Sequence, residues 1–86
     1  VRVGSLWPGD VIEMLGRRAC FIAQTDHPLW PHLRLVVWRM DDGSWSHDAL
    51  SVWQDVGRAV VLDVQRPEIL RSAMLDDPRT WKWATP

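Results

Sequence analysis

LVVWRMDDGSWSHDAL, residues 35–50, decides how the rest of the chain is read. An apolar run ends in Trp38-Arg39-Met40, followed by Asp41-Asp42-Gly43 and then Ser44-Trp45-Ser46-His47. Two β-forming runs around an Asp-Gly pair predict a hairpin. Glycine takes the positive φ that a tight turn needs, and the flanking residues suit a pleated, half-buried surface. Residues 33–40 form the stronger strand, with Leu33, Leu35 and Val37 facing one way and Arg34, Val36 and Trp38 the other. Residues 44–47 return as a short strand, and Trp38 and Trp45 are expected to pair across the turn, worth about 0.5–1 kcal/mol.

The same stretch invites a catalytic reading, with His47 as a base oriented by Asp48. Strand parity opposes it, because adjacent strand residues point to opposite faces. Ser44, Ser46 and Ser51 lie nearby but lack the strained Gly-x-Ser-x-Gly elbow of an activated serine. No enzymatic activity is expected. Asp41, Asp42 and Asp48 do not follow a calcium-loop pattern, and turn and cap roles account for them.

Upstream, Pro8-Gly9-Asp10 signals a turn before a strand over residues 11–15, which Gly16 closes. Residues 16–18 form a short connection to a second strand over 19–24, completing a hairpin with Arg17 and Arg18 at its tip. In residues 25–32, TDHPLWPH, Pro28 and Pro31 forbid a continuous ladder. This segment is expected to be a loop, with Trp30 folding over an end of the core.

Downstream, Asp48 or Ser51 is expected to cap a brief helical turn that ends at Gly57. A last strand follows over residues 59–64. RPEILRSAML, residues 66–75, predicts a helix: Pro67 and Glu68 suit its first turn, and Ile69, Leu70, Ala73 and Met74 make an apolar stripe. DDPRTWKWATP, residues 76–86, is aperiodic and reads as a tail.

Eighty-six residues make one domain, and 47% hydrophobic with 24% charged residues is a globular composition. The expected division is a barrel over residues 1–65, with the helix and Trp-containing tail of 66–86 packed on it. The net charge of −1 exerts no global pull on nucleic acid or anionic membrane. No apolar run approaches a membrane span, and no secretory pattern stands at the start. The single Cys20, in an apolar strand, reads as a buried structural thiol in a reducing cytosol. A cytoplasmic location is therefore expected.

His27 and His32 share one loop with Asp26, but HPLWPH has no recognised ligand spacing. Neither metal nor cofactor is expected. Nine arginines against one lysine, and seven tryptophans without a tyrosine, fit GC-rich coding, as does Val1 if a GTG start is read literally. Arg17, Arg18, Arg34 and Lys82 are the candidates for phosphate contact, since basic residues interleaved with aromatics can track a nucleic-acid strand. Asp76 and Asp77 argue against that use of the tail. Tryptophan and arginine also dominate protein-binding hot spots. Trp30, Asp42, Trp45, Trp53, Arg79, Trp81 and Trp83 are therefore the candidates for partner contact. For Trp81 and Trp83, a lid over the chain's own core is the competing role.

Short strands at regular spacing predict a mainly β fold, a small barrel of about five strands with a C-terminal helix and irregular tail. The order of elements resembles the SH3-like barrel. PGDVIEMLGRRACFIAQT is similar to the Gly-Asp-x-Val opening of KOW and Tudor-type members, and VVWRMDDGSW to their third and fourth strands. The chain also resembles small accessory proteins of actinobacteria and their phages, which open with Gly-Asp-Val and a Leu-Gly turn. The expected function is a non-enzymatic module that binds a protein of the host or a second copy of itself, as monomer or homodimer, the host-directed role being what the resemblance implies. Its alternatives are a nucleic-acid-binding barrel and a small phage structural adaptor.

Overall fold

The computed structural model describes residues 1–60 and 63–75. Five antiparallel strands form one sheet: β1 (Val11–Met14), β2 (Arg17–Asp26), β3 (Leu33–Met40), β4 (Trp45–Ser51) and β5 (Arg58–Ala59). Their spatial order is β4-β3-β2-β1-β5, and one helix, α1 (Arg66–Met74), follows. The fold is mainly β, and among the described residues the sheet does not close.

The β1–β2 connection is shorter than expected. Met14 pairs with Arg17, so Leu15-Gly16 alone makes the turn, at φ of 50° and 78°. Two successive positive φ values characterise the primed hairpin turn, whose twist matches the strands it joins. Arg17 and Arg18 therefore belong to β2 rather than to a connection. β2 carries a bulge between Phe21 and Ala23, which shifts its register against β3 by one residue. Up to the bulge, ordinary alternation sends Ala19 and Phe21 to one core cluster and Cys20 and Ile22 to the other.

β3 spans the predicted residues, but its partner differs from expectation. Met40 N donates to Ser44 O, which leaves three residues, 41–43, in the turn. Trp38 consequently opposes Ser46, and Trp45 opposes Arg39. Strand parity puts the two tryptophans on opposite faces, so they do not pair. Trp38 is 2% exposed and meets Phe21 edge-on, with ring centroids 5.8 Å apart. Trp45 lies over the guanidinium of Arg39, 4.6 Å from ring centroid to carbon.

β4 runs to Ser51, through the residues expected to form a brief helical turn. Asp48, Ala49 and Leu50 continue the β3 ladder, and only Val52-Trp53 turns, closed by Gln54 N donating to Ser51 O. The last strand is short. β5 covers two residues, and Asp63–Gln65 forms a 3-10 turn where a strand was expected.

Two apolar clusters flank the sheet. Val3, Leu6, Ile12, Ala19, Phe21, Val36 and Trp38 pack between it and the N-terminal segment. On the other face Val11, Cys20 and Ala73 form a smaller cluster under α1, joined by Ile22, Val60 and Ile69. Met74, expected in the stripe of α1, is exposed, whereas Ser72 is buried beside Ala73. The helix is anchored by Asp10. Its Oδ1 accepts from Arg66 Nε at 2.6 Å, and its Oδ2 accepts from Trp7 N at 2.8 Å. Two donors, one of them charged, offset the desolvation of the buried carboxylate, and the Asp10–Arg66 pair ties the PGD turn to the start of α1.

Candidate binding surface

The expected partner-contact residues divide between two ends of the sheet. At one end the turns of the β1–β2 and β3–β4 hairpins meet. Arg17 reaches Asp41 at 3.2 Å and Asp42 at 2.9 Å, and Asp41 N donates to Arg18 O. Asp42 also accepts from Ser44 N and Ser44 Oγ, which hold its carboxyl below the usual range, with Arg17 adding to the effect. Asp42 is thus spent on its own turn. Trp45 stands at this end.

At the opposite end lie Trp30 and Trp53. Leu33 pairs with Ser51, Leu33 N donates to Trp30 O, and Trp53 N is bonded to Ser51 Oγ. These contacts set the 27–32 loop beside the 52–53 turn. Trp30 does not fold over the core. It is 53% exposed and stacks on His27, with centroids 5.0 Å apart. His27 Nδ1 accepts from both Leu29 N and Trp30 N, so that nitrogen serves the loop and not a metal. Trp53 is 72% exposed, with the guanidinium of Arg2 5.4 Å from its ring centroid. Leu29 is exposed on the same loop. Arg79, Trp81, Lys82 and Trp83 lie outside the described residues.

The arginines expected to contact phosphate are engaged elsewhere and scattered. Arg18 bonds Glu13 at 3.3 Å, and Arg58 bonds the other oxygen of Glu13 at 2.7 Å. Together they hold the Glu13 carboxyl below its ordinary range, Arg58 most strongly. Arg34 pairs with Asp26 and donates to Gln24 Oε1 at 3.1 Å. It sits at the far end of β2 from Arg17 and Arg18, roughly 30 Å away along nine strand residues. These cations do not form one patch.

Other chemistry is equally constrained. Cys20 is fully buried, and burial, seconded by the Asp10 charge, pushes its thiol up to about 12, unsuited to a nucleophile. His47 opposes Val37 and Asp48 opposes Val36, on opposite faces of β4. Among the described residues, no three His, Cys, Asp or Glu side chains are grouped to hold a metal ion.

One feature escaped the sequence reading. A groove of about 470 Å³ runs between the end of β1, the inner face of β4 and residues 54–57. Met14, Trp38, Leu50 and Val56 give it apolar walls, and Asp48 stands on its rim. The alternation of Ser46, Asp48 and Leu50 was its only signal, hidden once these residues were read as a helical turn. No helix among the described residues is long and apolar enough to cross a membrane. Compared with protein-family models, curated proteins and solved structures, the chain matches none.

Proposed function

We propose that this chain is a non-enzymatic, cytoplasmic protein-binding module on an SH3-like sheet, and that the end bearing Trp30 and Trp53 is its main contact surface. The observation that carries this reading is the exposure of two tryptophans, Trp30 and Trp53, on separate loops at the same end of the sheet. Exposed aromatics held by ordered turns lose little entropy on binding and are typical anchors of protein interfaces. The strand order β4-β3-β2-β1-β5, with β1 between β2 and the last short strand, supports the SH3-like assignment. A host-directed accessory role, of the kind found in actinobacteria and their phages, rests on the resemblance of the Gly-Asp-Val opening and Leu-Gly turn.

Nucleic-acid binding in the KOW or Tudor manner is the weaker reading. Arg17, Arg18 and Arg34 already hold carboxylates, so each phosphate contact would first have to break an ion pair.

Affinity capture from host lysate tests the proposal. The wild-type chain is expected to retain a discrete protein, and Trp30→Ala/Trp53→Ala to retain at least about tenfold less with unchanged unfolding midpoint, as truncation of exposed hot-spot residues implies. In parallel, labelled single-stranded and duplex nucleic acids are titrated at about 50 and about 200 mM salt. Affinity that falls steeply with salt, with protein capture indifferent to the two tryptophans, would overturn the assignment.

A further inference from the structure

β4 closes one side of the sheet, and among the described residues no strand pairs with its outer edge. Its backbone polarity follows from the ladder. Met40 and Ser44 are a hydrogen-bonded pair, so the alternation continues through Trp38/Ser46, Val36/Asp48 and Arg34/Leu50. The N–H and C=O groups of Trp45, His47 and Ala49 therefore point away from β3. Sheet edges are normally defended by proline, charged side chains, a bulge or extreme shortness, and the one such device on β4 is the inward-facing Asp48, whose charge repels a second β4 and admits a cationic partner. β4 has seven residues, contains neither proline nor lysine, and pairs with β3 without a register shift.

The side chain between those free amides is Asp48. It faces the groove beside Trp38 and Leu50, and its carboxylate has no ion pair or hydrogen bond among the described residues. The neighbouring Glu13 is already held by Arg18 and Arg58. A strand laid along β4 would thus meet backbone partners at every second residue. Its groove-facing side chains would pass over apolar walls toward one uncompensated negative charge.

Resting on the protein-binding reading above, we propose that β4 is a β-augmentation site for an extended partner segment carrying arginine or lysine, whose aliphatic stem lies in the groove and whose charge meets Asp48. Main-chain bonding gives such a complex its affinity, and the alternate side chains give it selectivity. A second copy of this chain fits the edge poorly. Antiparallel β4 strands would place two Asp48 carboxylates on the same face near the symmetry axis, and like charges across a strand pair destabilise it.

The test uses the full chain and a blocked octapeptide alternating arginine and valine, followed by amide chemical-shift titration. Shifts are expected at Trp45, His47 and Ala49 and around the groove. Replacing peptide arginine by glutamate, or N-methylating the nitrogens on its pairing edge, is expected to weaken binding at least about tenfold, the scale of losing charge-assisted and main-chain bonds. Asp48→Asn should erase most of the preference for arginine over glutamate. Ala49→Pro removes an outward N–H and spares the β3 ladder, so it should abolish binding in a folded protein. Should that variant not fold, the N-methylated peptide asks the same question of the wild type. Equal affinity for the methylated peptide, shifts confined to Trp30 and Trp53, or pairing of the chain with itself through β4 would each overturn the proposal. If these failures occur while capture still depends on Trp30 and Trp53, the augmentation site is wrong and the binding module stands.

Discussion

Trp38→Ala is expected to cost about 3–5 kcal/mol of stability, the loss typical of truncating a buried aromatic. A domain of 86 residues has about 4–13 kcal/mol in all, so the variant should be marginal or unfolded. The side chain is 2% exposed, packs edge-on against Phe21, and belongs to the cluster that joins Val3 and Leu6 to the sheet. Removing it leaves a void among the side chains of that cluster, which relax only in part. The contrast is Trp45→Ala, on the same hairpin. Trp45 is half exposed and contributes a stack on Arg39, so its loss should cost only about 0.5–2 kcal/mol. Urea unfolding of the two variants checks the assignment. If Trp45→Ala proves the more damaging, the register of β3 on β4 is wrong.

Gly57→Ala should be nearly as severe, at about 3–5 kcal/mol, because it combines backbone strain with a backbone clash. Gly57 has φ of +130°, and an added Cβ would lie 2.2 Å from Glu13 O and 3.0 Å from Ile12 Cγ2. The carbonyl belongs to β1, which cannot withdraw without loosening its pairing with both β2 and β5. Gly16→Ala is the control. It also carries a positive φ, +78°, yet nothing lies within 4 Å of its added Cβ. Its cost should be the conformational term alone, about 1–2 kcal/mol. Thermal unfolding of both variants separates the contributions, and equal losses would mean that the 57 region does not approach β1 as described.

The elements legible in the sequence were those whose cause is local. β3 carries an uninterrupted β-forming run that ends at Asp-Asp-Gly, and α1 has Pro67, Glu68 and a helical apolar spacing, so both fall within a residue of expectation. β4 was misread because Asp48 and Ser51 are also good helix caps, and only pairing with β3 decides between the two states. The supposed Trp38–Trp45 pair failed although the three-residue turn, 41–43, is the expected one: that turn sets Met40 against Ser44 and hence Trp38 opposite Ser46. Whether the turn has two residues or three sets which face every following side chain takes.

The candidate surface was legible in its residue types and not in its grouping. Tryptophan and arginine drew attention to Trp30, Trp53, Arg17 and Arg34, of which the structure leaves the two tryptophans exposed and ties both arginines to carboxylates. Which arginines are spent on carboxylates depends on contacts between distant segments, such as Glu13 with Arg58, forty-five positions apart. The Asp10–Arg66 bridge that seats α1 spans fifty-six positions and has no local signal at all.

The proposed augmentation at β4 requires an outer edge that is open, as it is among the described residues, and amide hydrogen exchange of the free chain reads that edge directly. Ser46, Asp48 and Leu50 donate toward β3 and should exchange slowly, near the rate set by global opening. His47 and Ala49 lie between them, point outward, and should exchange close to the rate of an unprotected amide. A slow–fast alternation along residues 46–50 is the predicted result. Uniform protection of all five amides would contradict it, because it would mean that the edge is already occupied.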